Sequence, residues 1–243
     1  MNKNIIAIAV AALGFIIGLA LLGNAIKNRN KSENTISVTG LGSKTFTSDL
    51  ITWSGNFSRN SFELKSAYDQ LAEDRKVIEK YMLSQGIPKK DIVFSAVDIQ
   101  KQYNYNNNSD GGSYQTFAGY QLAQSISLQS TDVAKIENLS RNITEIINLG
   151  IEFTSSTPNY FYTKLADVKQ QMIADATKDA KERAEKIAEN ASADLGNLKK
   201  ASMGVIQITA PNSTEDFSYG GTYNTTSKEK EASITIKLEY EVD

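Results

Sequence analysis

The chain has 243 residues, 26 of them basic and 28 acidic, a formal net charge of −2, and neither cysteine nor histidine. Without cysteine there is no disulfide framework, thiolate nucleophile or cysteine-ligated zinc, and without histidine the usual general base and the commonest metal ligand are missing. Lys3, Lys27, Arg29 and Lys31 are the only charges ahead of Glu33; taking those four from 26 leaves 22 basic against 28 acidic residues, a net −6 on the remainder, and the absence there of clustered Lys and Arg argues against a nucleic-acid partner.

The first element is the uncharged run from Ile5 to Ile26, 22 residues. At 1.5 Å per helical residue it covers a hydrocarbon core of roughly 30 Å, so a transmembrane helix is expected. Two readings stand: an uncleaved signal anchor, which the length favours, or a signal peptide cleaved after Ala25, where Gly23 and Ala25 are small. The basic flank Lys27, Arg29 and Lys31 outweighs Lys3 and the amino terminus, so charge alone would keep the C-terminal part of the chain in the cytoplasm. The expected division is an anchor with its flank over residues 1–31 and one folded domain over 32–243.

Within that domain, Ile36 to Gly42 and Leu50 to Ser58 alternate as half-buried strands, the second placing Ile51, Trp53 and Phe57 on one face. Asn60 and Glu63 form a capping-box pattern for a helix whose apolar stripe is Leu64, Tyr68, Leu71, Ile78 and Met82, ended by Gly86 and Pro88. Ile92 to Tyr105 and Tyr114 to Gln129 read as a hairpin, the second strand turning Tyr114, Ala118, Tyr120, Leu122, Ile126 and Leu128 inward. Asp132 to Leu149 predicts a helix with Val133, Ile136, Leu139, Ile143 and Ile147 as its stripe and Gly150 as its stop. Short strands come next at Ile151 to Phe153 and Tyr160 to Tyr162. Leu165 to Leu195 is then a long helix with Ala176, Ala180, Ala184 and Ala188 at four-residue spacing. Lys199 to Thr209 and Ser233 to Val242 close the chain as strands. The whole predicts an α+β fold: an antiparallel sheet built from repeated β-α-β units with helices packed on one face, behind an N-terminal transmembrane helix.

No motif nominates a catalytic residue, a cofactor or a metal. The segment Asn106 to Gly111 imitates the start of a calcium loop but has Asn106 where Asp is required and Phe117 where a bidentate Glu should close the shell, so it reads as a surface turn. Gly40 and Gly42 lead into a strand where a phosphate loop needs a helix. Acidic residues are plentiful, yet no local spacing pairs two of them for glycosidase-like chemistry. The triplets at Asn138 and Asn224 are no more than an Asn-rich chain supplies by chance. Two segments, Tyr103 to Tyr114 and Pro211 to Ser227, combine Tyr with Asn, Ser and Gly, a composition suited to glycan or protein contact and shared with ordinary polar loops.

These segments together resemble the SIMPL-domain family of bacterial envelope proteins. The resemblance lies in Ile36-Ser-Val-Thr-Gly-Leu-Gly42, the Gly86-Ile87 and Asp91-Ile92 junction, Gly119-Tyr120, Asp175 to Gly196, and Met203 to Ser213, the last similar to the membrane-anchored branch. Ser48 stands where the family usually has Pro, and Ser192 where it commonly has Gly. The resemblance implies a domain exported to the periplasmic or extracellular side, assembly into homo-oligomers, broad links to envelope and oxidative stress, and no enzyme activity. A membrane partner through Ile5 to Ile26 and a glycan or protein partner at the two Tyr-containing segments complete the expectations.

Overall fold

The structure, a computed structural model, describes residues 3–29, 34–107, 113–216 and 218–242, with the side chains of the first helix described over 12–26. In chain order the elements are α1 (Lys3–Arg29), β1 (Thr35–Thr47), β2 (Leu50–Ser61), α2 (Leu64–Ser84), β3 (Val93–Phe94), β4 (Asp98–Asn107) and β5 (Ser113–Ser130). After these come α3 (Val133–Asn142), β6 (Phe153–Ser155), β7 (Asn159–Phe161), α4 (Leu165–Asn190), β8 (Leu195–Met203), β9 (Gln207–Thr209) and β10 (Glu229–Val242).

The strands form two antiparallel sheets, where the sequence predicts one. Sheet A has the order β1-β10-β8, with β9 also on β10; sheet B has the order β3-β5-β2-β6, with β4 on β5 and β7 on β2. The cause is the pairing of β1, which lies along the C-terminal β10 from Thr35↔Glu241 to Thr47↔Glu229 and not against β2. Ser48 and Asp49 carry the chain between sheets: their amides bond Lys228 O and Phe161 O, and the Asp49 carboxylate accepts from the Thr163 amide and hydroxyl. The Ser48 hydroxyl is buried and is the one buried side-chain polar atom without a hydrogen-bond partner among the described residues.

Each sheet has its own core. In sheet A, Ala232, Ile234, Ile236, Leu238 and Tyr240 meet Val168, Met172, Ala176, Ala180 and Ala184 of α4. The alanine ladder lets this helix lie against glycine: a Cβ on Gly40 would stand 2.1 Å from Ala176 O, and one on Gly42 2.2 Å from Met172 O. In sheet B, Trp53, Phe57, Leu122 and Ile126 pack under Leu71, Ile78, Met82, Ile136 and Leu139. Arg59 of β2 makes a bidentate ion pair with the buried Asp74 of α2, 2.5 and 2.7 Å, and bonds Gly150 O at 2.8 Å.

Several local expectations shift. β2 runs on through Asn60, which pairs with Gln121, so its extended backbone cannot cap α2; Glu63 is the N-cap, without a side-chain bond. The buried stripe of α2 is Ala67, Leu71, Asp74, Ile78 and Met82, rotated so that Leu64 and Tyr68 are 40% and 53% exposed. After α3 the segment Ile143–Leu149 tightens into a 3-10 helix, whose three-residue turn buries Ile146 and leaves Ile147 exposed. The predicted long helix ends at Asn190, and Leu195 already belongs to β8.

α1 carries exposed apolar side chains on every side over 12–26, including Leu13, Phe15, Ile16 and Leu21. The expected span, Ile5 to Ile26, extends outside the residues with described side chains at Ile5 to Ala11, and its basic flank lies outside them too; among the described residues no helix is long and apolar enough to cross a membrane.

Candidate functional site

The two Tyr-containing segments fall at separate places. The first forms an arm. The ladder between β2 and β5 stops at Ser61↔Tyr120, whereas β4 and β5 stay paired as far as Asn107↔Ser113, so beyond Tyr120 the ribbon has two strands only. A bulge between Gln102 and Tyr103 sets Tyr103 opposite Phe117. Tyr103, Phe117 and Tyr120 then form an edge-to-face chain with ring centroids 6.0 and 5.2 Å apart. Tyr120 packs on the core, and Tyr103, Tyr105, Tyr114 and Phe117 are exposed, so Tyr114 is outward where the alternation predicts it inward. At the base of the arm Leu64, Lys65, Tyr68 and Ile99 line a shallow depression of about 450 Å³. Most of the calcium-like turn, residues 108–112, lies outside the described residues, and among those described no cluster of acidic side chains could hold a metal ion.

The second segment folds over the face of sheet A opposite α4. Gln207 of β9 points to that face and pins it: the amide donates to Ser218 O at 2.8 Å and accepts from the amides of Ser218 and Thr222 at 3.3 and 2.8 Å. Asn224, buried, donates to Glu215 and accepts from the Ser227 amide at 2.8 Å, so its side chain is committed internally. Beneath sits Lys230, fully buried, donating to Asn224 O and, at 2.8 Å, to Ser227 O, with the Tyr223 ring 5.5 Å away. Burial lowers the Lys230 ammonium to about 8, against an opposing pull from Glu215. The inward face of β10 is Lys230, Ala232, Ile234, Ile236, Leu238 and Tyr240, so extending the two-residue period back from Ile234 would have found the lysine.

Between this segment and the sheet lies a groove of about 700 Å³. Ser43, Ser233 and Thr235 form its floor, Asn212 and Glu215 its wall, Glu231 adds a second carboxylate, and Leu41, Val205 and Ala210 supply apolar surface; among the described residues no Lys or Arg lines it. Tyr219 stands at the rim, wholly exposed. Hydroxyls, an amide, carboxylates and a free ring suit a neutral polyhydroxylated or cationic ligand and disfavour an anion. Sequence spacing pairs no two acids; the fold brings Glu215 of the loop and Glu231 of β10 to one groove.

The seam between lobes combines polar contacts with one ring stack, Phe161 of β7 on Tyr223 with centroids 6.3 Å apart. Glu137 of α3 bonds Lys228 at 3.0 Å and accepts from the Tyr160 hydroxyl at 2.9 Å, while the Tyr160 amide donates to Thr225 O at 2.7 Å. Burial, then the bond to Glu137, pushes the Tyr160 phenol up to about 12. Burial also pushes Glu137 up, but hydrogen bonds from Lys228 and Tyr160 outweigh it and hold the carboxyl below its ordinary value.

Residues 36–241 match the model of the SIMPL family, described as a protein of unknown function (DUF541). Comparison with curated proteins gives no match.

Proposed function

The chain belongs to the SIMPL family, and from that premise we propose that it is a membrane-anchored, extracytoplasmic envelope protein that assembles with copies of itself and acts structurally, in envelope or oxidative-stress tolerance, without catalysis. The observation that supports self-assembly is the uncovered apolar surface at the base of the arm, where Phe62, Leu64, Tyr68 and Ile99 are 71%, 40%, 53% and 51% exposed. Contiguous exposed apolar surface of this kind marks contact sites. Sedimentation of the full chain in micelles tests it: a mass of several copies is expected, and a single copy at all concentrations overturns it. The anchored, exported arrangement rests on the Ile5 to Ile26 run and the family. Protease added to spheroplasts should digest the domain, and protection would place it on the other side.

A second reading, a module that binds glycan or protein, is favoured by the groove under residues 210–219. Binding to a glycan array or a protein partner that is abolished by Tyr219→Ala together with Glu231→Ala supports it. Binding unchanged by both substitutions removes the groove from the account.

A further inference from the structure

We infer that the β4–β5 arm is where two copies of this chain meet: the aromatic face of one arm lies across the Leu64, Tyr68 and Ile99 surface of its partner, and the reverse, about a two-fold axis. This rests on the proposed self-assembly and names its surface.

Three observations carry it. The first is structural incompleteness. Past Tyr120 the ribbon is held by the β4–β5 ladder alone, with both outer edges unpaired among the described residues. Two-stranded ribbons are marginal in water unless one face is covered. Ile99, Lys101, Tyr103 and Tyr105 share one side of β4, with Phe117 packed on Tyr103 and Tyr120, so apart from Lys101 this face continues the core outward past the end of α2.

The second is charge. From Gln102 to Asn107 and from Ser113 to Gly119 there is no ionisable acid or base other than tyrosine. Exposed edges are ordinarily guarded by charges, above all lysine. The chain after Lys31, with 22 basic and 28 acidic residues, carries a net −6, so identical copies repel over most of their surface and least at an uncharged one. In a two-fold contact one patch serves both copies, arm on base and base on arm, so the uncharged arm faces a base whose lysine, Lys65, is already paired with Asp69.

The third is area. Phe62, Leu64, Tyr68, Ile99, Tyr103, Tyr105 and Phe117 are between 40% and 74% exposed. At about 200 Å² per large side chain they offer roughly 700 Å² per copy, close to the ~800 Å² per partner of a stable interface. The occupant is therefore a second arm and its base.

The absence of cysteine makes the test direct, since any disulfide must join introduced residues. Full chains carrying Tyr68→Cys are mixed with chains carrying Tyr105→Cys, reconstituted in phosphatidylcholine vesicles and oxidised. A cross-linked pair is expected, and none from Leu198→Cys, which is 50% exposed on β8 of the other lobe. In micelles, Tyr103→Lys with Phe117→Lys should reduce the sedimenting mass to one copy. Tyr105→Lys, at a position 74% exposed, should weaken assembly without touching the core. Equal cross-linking at Leu198, or a lysine double variant that assembles like the parent, overturns the arm while leaving self-assembly standing. A parent chain that sediments as one copy overturns both, and an arm that binds vesicles as a single copy assigns it to lipid.

Discussion

At the scale of single residues, Gly40 is the position with least freedom. Its missing Cβ would face the backbone atoms Ala176 O at 2.1 Å and Ala180 N at 2.4 Å, which no rotamer change can relieve. Gly40→Ala should therefore cost about 3 kcal/mol, the upper part of the range for overpacking, read as a lower melting temperature. Ser48→Ala acts in the opposite sense. It deletes a buried hydroxyl that has no partner while keeping the amide bond to Lys228 O, and a gain of about 1 kcal/mol is expected by thermal melting. Lys230 sets a pH dependence. Its folded value of about 8 lies below the ordinary lysine value of 10.5, so between those pH values the unfolded chain binds more protons and this group's contribution to stability rises with pH. Tyr160, at about 12 against an ordinary 10.0, works the other way: above pH 10 the unfolded chain loses its proton first, and stability falls. Denaturant midpoints should climb from pH 8 toward pH 10 and decline beyond it, with Lys230→Met flattening the climb and Tyr160→Phe the decline.

At the scale of elements, much was legible because two periodicities suffice. Of the set that alternation turns inward, Ile234, Ile236, Leu238 and Tyr240 are buried and Val242, at the strand's end, is half-buried; Ala176, Ala180, Ala184 and Ala188 are buried too. Misreadings arise where a distant partner decides. Arg59 reaches from β2 to Asp74, and the stripe of α2 includes that carboxylate, which a search for apolar residues does not count. Asp74→Ala leaves the guanidinium without its bidentate partner in a part-buried site; a loss of about 3 kcal/mol is expected in chemical denaturation. The single-sheet expectation failed for the same kind of reason, since nothing local to β1 announces that its neighbour is β10. Of the candidate surfaces, the arm's tyrosines were visible in composition. Its exposed face was not, because Leu64 and Tyr68 sit at helical spacing suited to a core and become surface only where the sheet narrows to two strands. The groove was hidden altogether, its lining drawn from residues around 43, 212 and 233 that share no pattern.

At the scale of the whole molecule, the two cores share no residue and meet across hydrogen bonds, the Glu137–Lys228 pair and the Phe161–Tyr223 stack. Separate cores joined by so few contacts open semi-independently. Calorimetry should resolve two overlapping transitions, with Gly40→Ala lowering one and Asp74→Ala the other; a single transition lowered equally by both would mean that the seam makes the lobes one cooperative unit.

The pairing of β1 with β10 has a consequence for how the protein is made. Everything from Leu50 to Phe161 is an insertion between the first strand of sheet A and the helix that covers it. A ribosome delivering the chain from its amino end completes sheet B while the central strand of sheet A is still unsynthesised. The strand beside the proposed anchor must wait for the last fourteen residues of β10. During that interval β1, with Val38 and the glycines that receive α4, lies open, so the half of the protein nearest the proposed anchor is the half that folds last.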